Sequence, residues 1–357
     1  LVFVIRLLKF AAMYIHQHTC ISAQETFENI NLDIIHPPVG NKLAAKEPVY
    51  KGIPPGILRR MGKAVRMGAG AALPIIENYR NINGIIIGTA NGGMEDCIKF
   101  LNQIIDYEEG MLTPGNFVQS TPNAIAAQIG LMATNKGYNI THVHRGLSFE
   151  NALLDAVMML KTNPEASYLV GAVDEISAYN YNIDYLEGWY KSELHPGTSL
   201  YDTGSPGSIA GEGAAMFLVS SNRKNAIAQI RDVQTIHTTD YAVLKDILRE
   251  MLHKNALHTG DIDLLISGEN GDNRLLPYYT EVRGIFNNTT PVARYKHLSG
   301  EFPTSSATAT WLACGSSLPA HLFQSGYTGA AAKNIMIYNN YKGLQHSFIL
   351  IGKSFGS

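Results

Sequence analysis

Charged residues are few in this 357-residue chain, 16% against 45% hydrophobic, and the net charge is only -2. A balance so near neutral argues against a basic face for nucleic acid or for an anionic membrane. Cysteine is equally scarce. Cys20, Cys97 and Cys314 are widely spaced and odd in number, so no disulfide framework is expected, and free thiols in a reduced, cytoplasmic setting are the plain reading. No apolar run is long enough to cross a bilayer. The nearest, LVFVIRLLKFAA at residues 1–12, is short and has no charged region ahead of it. We read it as upstream or disordered sequence rather than a targeting peptide. Low-complexity tails and runs of Lys or His are missing too. What remains is the composition of a compact globular protein that can bury one large core or two ordinary ones.

Motifs for cofactors are also lacking. Gly88 and the Asn91-Gly92-Gly93 turn follow an apolar strand, but no G-x-G-x-x-G spacing and no Walker lysine accompany them. The pairs His142/His144 and Glu269/Asp272 come without helical H-x-x-x-H or cysteine-bearing spacing, so neither a metal nor any other cofactor is expected.

The chain is organised around residues 141–161, THVHRGLSFENALLDAVMMLK. This reads as the end of a strand, a sharp turn at Arg145-Gly146, and a helix apolar nearly all round, hence buried in a large protein. Ser148 is read as its cap and Glu150 as a first-turn acid that suits the helix dipole. A strand feeding a buried helix through a tight turn is a common way to present a nucleophile, because the helix N-terminus stabilises a thiolate or oxyanion. Here the turn offers only glycine.

Strand and helix alternate along the rest. Strands are expected at residues 14–22, 84–88, 139–143, 168–175, 213–219, 228–234, 264–267 and 292–293, with a closing pair at 334–338 and 347–353. Helices are expected at 94–107, 124–134, 241–253 and 305–313, with a further helix opening near residue 59 and running through 71–79. Thr121 is read as the cap of the helix at 124–134, with Pro122 at its first position. Residues 178–208, rich in Tyr and Gly without periodicity, are read as an irregular surface excursion. Alternation of this kind argues an α/β protein with mostly parallel strands. The second half (221–357) repeats the order of the first (13–220), with layers stacked as helix, sheet, helix, sheet, helix.

Four segments then carry a family resemblance: Ser120-Thr121-Pro122-Asn123 with the small-faced helix after it, Leu169-Val170-Gly171-Ala172-Val173-Asp174-Glu175, Gly211-Glu212-Gly213-Ala214-Ala215, and Lys296 four residues before Gly300. In this order and spacing they resemble the β-ketoacyl-acyl-carrier-protein synthases of the thiolase fold. The resemblance implies a five-layer αβαβα architecture in two pseudo-repeated halves. It also implies a site in which a cysteine at the buried helix takes an acyl group and two histidines assist decarboxylation of a malonyl thioester.

At those reactive positions the sequence departs. Gly146 stands in the cysteine's place, Gly268 in that of the first histidine and Glu301 in that of the second. A supporting glutamate corresponds to about Thr310, and the gating phenylalanine is replaced around Tyr341-Lys342-Gly343-Leu344. Only Lys296 is kept. Glycine cannot accept an acyl group, so the resemblance implies a subunit like the chain-length factors. Such a subunit partners an active β-ketoacyl synthase that is served by acyl carrier protein, in fatty acid, polyketide or aryl polyene biosynthesis; a homodimer is the other possible assembly.

Polar residues expected to line the emptied site are His142, His144, Arg145, Ser148, Glu269, Asp272, Lys296 and Glu301. They support two readings. One is a divergent acyltransferase or condensing centre using Glu301 and His144, or Ser148, on carrier-bound acyl groups. The other is a structural ion pair between Glu301 and Lys296 or Arg145, favoured because buried charges need partners. The cysteines are read as inert core residues. The small-faced helix, through Pro122, Asn123, Ala124 and Ala127, is read as a subunit interface.

Overall fold

The computed structural model describes residues 12–194, 198–202, 204–286, 289–325 and 331–353. The reading of residues 1–12 therefore falls, up to residue 11, outside the described residues.

The first half runs β1 (Met13–Ile21), β2 (Lys42–Leu43), α1 (Pro55–Leu58), α2 (Lys63–Asn78), β3 (Gly84–Gly88), α3 (Met94–Asp106), α4 (Pro114–Gln119), α5 (Ala124–Met132), β4 (Tyr138–His142), α6 (Ser148–Thr162), β5 (Ser167–Asp174), α7 (Ala178–Leu186), β6 (Ala210–Gly211) and β7 (Gly213–Ser220). The second runs β8 (Ala228–His237), α8 (Tyr241–Lys254), β9 (Leu264–Ser267), α9 (Leu276–Arg283), β10 (Val292–Arg294), α10 (Lys296–Ser299), α11 (Ser306–Cys314), β11 (Phe323–Ser325), β12 (Asn334–Tyr341) and β13 (Gln345–Gly352).

The repeat is visible in the pairing. In the first half the strand order is β1-β7-β5-β3-β4, and in the second β8-β13-β12-β9-β10. The directions match strand for strand: the first two pairs are antiparallel and the last two parallel in each half. The halves are joined where Met13, Tyr14 and Ile15 of β1 pair with β8, so hydrogen bonding runs through eleven strands. Buried parallel strands read as continuous apolar runs, and all five residues of β3 are buried.

Helices fill three layers. α2 packs on β1, β5 and β7, with α5 beside it on β3 and β4. α8 packs on β8 with α9 beside it. Between the sheets lie α6, against β3, β4, β5 and β8, and α11, against β1, β7 and β12. All nine residues of α11 are buried, which explains why it shows no polar face. α6 is less enclosed than its sequence suggests, since Met158 is 45% exposed.

Three local expectations are corrected. The helix after Ser120-Thr121-Pro122 begins only at Ala124, with Asn123 as N-cap and no side-chain cap, because the Asn123 carboxamide instead accepts from Thr141. Pro122 therefore lies in the turn before the helix. The excursion at 178–208 contains a real helix, α7, whose residues are all at least partly exposed and so leave no apolar period to read. The helix near residue 59 is two pieces, α1 and α2.

Candidate functional site

The centre lies where five pieces meet: the turn into α6, the turn after β9, the link between α10 and α11, α11 itself and the β12–β13 turn. Two glycines from separate motifs make the approach possible. A Cβ on Gly211 would lie 2.7 Å from Gly300 Cα, and one on Gly300 would lie 2.5 Å from Gly211 Cα. Gly300 also has φ +70°, a left-handed value that favours glycine.

At the head of α6, Arg145 has φ +51°, an uncommon conformation for a residue with a side chain, and Gly146 follows it. The Gly146 N–H donates to Gln345 Oε1 at 3.0 Å. A Cβ on Gly146 would lie 2.2 Å from Tyr341 Cβ and 2.5 Å from its Cγ. The space a nucleophile would need is filled by Tyr341. Gly268 is crowded in the same way, since its Cβ would lie 2.4 Å from Asn339 Oδ1. Asn339 and Tyr341 both belong to β12, so the end of one strand crowds both glycines.

Glu301 and Lys296 form an ion pair at 2.9 Å, and the second Glu301 oxygen accepts from Asn270 at 2.8 Å. Lys296 is fully buried and also donates to Ser305 Oγ. Burial lowers its pKa, opposed by the Glu301 charge. Both side chains thus have partners within the chain.

The two expected histidines are engaged elsewhere. His142 pairs with Asp155 at 2.8 Å, while His144 is exposed and meets Asn151 at 2.9 Å. Arg145 is exposed. Ser148 is buried but does not cap α6. Its hydroxyl donates to the Arg145 carbonyl at 2.9 Å and accepts from the His144 N–H at 2.8 Å, which locks the turn. Glu269 accepts from Arg294 at 3.1 Å, and Asp272 is held by Arg274 at 2.6 Å. Thr310 donates to the Ser306 carbonyl within α11. Of the interface residues, Asn123 and Ala127 are exposed, Pro122 is partly so, and Ala124 is buried within the chain.

Two buried acids carry more of the site than their sequence positions suggest. Glu150 is fully buried, accepts from Ser347 Oγ at 2.7 Å and leaves its other oxygen unpaired. Burial pushes its carboxyl above the ordinary range. Asp174 accepts from the Ala90 and Asn91 N–H groups, the Thr89 hydroxyl, and both N–H and hydroxyl of Thr304, so it ties the end of β5 to the loop before α11. Its signal in the sequence was an acid closing a buried strand, within one of the four resemblance segments.

Burial pushes the Cys20 and Cys314 thiols up to about 12, leaving them unreactive. Among the described residues, no cluster of three or more His, Cys, Asp or Glu is arranged to hold a metal, and no helix is long and apolar enough to cross a membrane.

The family model described as "Beta-ketoacyl synthase, N-terminal domain" matches residues 38–193. No curated protein matches the chain in sequence. Among solved structures, a beta-ketoacyl synthase from Burkholderia phymatum superposes with a TM-score of 0.74 at 14% identity, covering 97% of this chain and 100% of that one. A ketosynthase in complex with its chain length factor, from Xenorhabdus doucetiae, gives 0.74 at 14%, covering 98% and 100%. The ishigamide ketosynthase/chain length factor gives 0.73 at 14%, covering 97% and 100%. Residues 38–193 thus match the N-terminal domain of a beta-ketoacyl synthase, and the chain as a whole has the thiolase-like fold in which those synthases are built.

Proposed function

We propose that this chain is a non-catalytic synthase-like subunit, a chain-length factor that pairs with an active β-ketoacyl synthase in the cytoplasm and takes part in polyketide, aryl polyene or fatty acid synthesis on acyl carrier protein. The observation that carries the reading is the Tyr341 side chain standing where a nucleophile on Gly146 would be. A site that had merely lost its cysteine would leave a gap there. This one is filled from β12, and the Lys296–Glu301 pair is turned inward.

The need for a partner is supported by the surface. β4 ends the sheet, and the N–H and C=O of Asn139 and Thr141 point away from β3, since the His142 carbonyl accepts from Thr89 on the β3 side. α3 has no buried residue, and Leu101 and Ile105 on it are 50% and 75% exposed. Phe117 and Val118 of α4 and Ile183 and Leu186 of α7 are exposed as well. An apolar surface of this extent, together with an open edge, suits a protein partner of matching fold. Asn123 and Ala127 lie in the same region.

Co-expression with an active β-ketoacyl synthase from the same source, followed by size analysis, tests the pairing. A one-to-one complex is expected. A stable homodimer that ignores the synthase would overturn it.

A further inference from the structure

The N-terminal turn of α2 gathers carboxyl groups from three separate elements. Glu175, just after β5, accepts from the Ala64 N–H at 3.0 Å through one oxygen. Its other oxygen is buried without a partner, and the residue is only 5% exposed. Asp96, in the first turn of α3, lies so close to the α2 N-cap that a Cβ on Gly62 would meet its Oδ2 at 1.9 Å. Glu212, between β6 and β7, is fully buried and pairs with Lys63. The same turn also anchors α4, because the Gly62 N–H donates to Gln119 Oε1 at 2.5 Å. The start of α3 and the end of α4 therefore both meet the chain at this turn.

We infer that Glu175 acts as a clasp: uncharged, it lets the first turn of α3 lie against the start of α2, and ionised, it loosens α3. One helix N-terminus cannot offset three neighbouring carboxylates. The groups facing Glu175 are Asp96 and Glu95 of α3, Glu212, and Arg66 of α2, with Lys63 of α2 beside Glu212. Those cations are already engaged, Lys63 by Glu212 and Arg66 by a forked contact with Glu47 at 2.5 and 2.6 Å. Lys99 offsets Asp96 and Glu95 from the outer side of α3.

Burial and the acidic neighbours raise the Glu175 carboxyl to about 7, and burial raises Asp96 as well. A carboxyl raised on closing favours the closed form below its ordinary pKa, and that preference is lost as pH climbs to the raised value. The window is pH 4.5 to about 7. The effect on partner binding rests on the function proposed above, whereas the clasp itself does not.

Cys97 sits next to Asp96 on α3 and is partly exposed, while Cys20 and Cys314 are buried, so a native reporter is in place. The rate of its labelling by 4,4′-dithiodipyridine, measured on the isolated chain, is to be compared between wild type and Glu175→Gln from pH 5 to 8. Single modification at Cys97 would be verified by peptide mass. The ratio of the two rates cancels the thiol's own pH dependence. It is expected to rise at least about tenfold between pH 5 and 7, then level off, and to rise less in Asp96→Asn. A ratio independent of pH overturns the clasp, as does a rise unaltered by Asp96→Asn. If Glu175→Gln does not fold, hydrogen exchange of the α3 amides in wild type and Asp96→Asn decides between the same two outcomes.

Discussion

Replacing Gly146 with alanine is expected to destabilise the protein by about 2–3 kcal/mol, a large value for one added methyl group. The new Cβ would lie 2.2 Å from Tyr341 Cβ, against 3.4–4 Å for ordinary contact, so the turn into α6 and the end of β12 must part by more than an ångström. Neither can do so freely. The turn is locked by Ser148 and Gln345, and β12 is paired along its whole length with β13. Tyr341→Ala keeps the offending Cβ and gives little relief. Tyr341→Gly removes it, at a cost of its own of roughly 3–5 kcal/mol for the lost ring. A double-mutant cycle should therefore show Gly146→Ala close to neutral in the Tyr341→Gly background, with a coupling energy of about 2 kcal/mol. Urea unfolding followed by tryptophan fluorescence measures all four corners. Equal costs of Gly146→Ala in both backgrounds would refute the view that Tyr341 occupies the nucleophile's place.

Further consequences follow from the buried charges. Lys296→Met alone strands Glu301 and is expected to cost about 3–5 kcal/mol, whereas Lys296→Met with Glu301→Leu should cost clearly less, and the same urea assay compares them. Burial holds His18, His297 and His346 neutral, each at about 4. Because each takes up a proton only on unfolding, the stability they contribute is whole above pH 6.5. It falls towards pH 4 by up to about 1.4 kcal/mol per pH unit per histidine. His346→Gln should reduce that slope by one proton, read from unfolding free energies across pH 4.5–7.

Much of this architecture was legible because buried parallel strands announce themselves. The Gly84–Gly88 run and the segment ending at Asp174 have the length and apolarity of central strands, and the order of elements repeats between the halves. α7 escaped notice because its order comes from aromatic stacking, Tyr181 on Tyr185 and Tyr190, and not from an apolar stripe. The site was legible only through the resemblance, which sets Gly146 and Gly268 where a reactive cysteine and histidine are expected. How those gaps are filled was not legible. Tyr341 reaches Gly146 only because β12 and the turn into α6 meet across the sheet, a contact no local pattern encodes. Glu150 was hidden for the opposite reason, since an acid in the first turn of a helix already has a sufficient local explanation. The convergence expected of His142, His144 and Arg145 failed because the turn leaves His144 and Arg145 outside, and Asp155 takes up His142.

The most direct test of the account is intact-mass measurement on the purified complex with an active β-ketoacyl synthase after incubation with an acyl-carrier thioester. The account predicts an acyl adduct on the synthase alone, with the mass of this chain unchanged. An acyl adduct on this chain would contradict it and would mean that a nucleophile other than residue 146 works behind Tyr341.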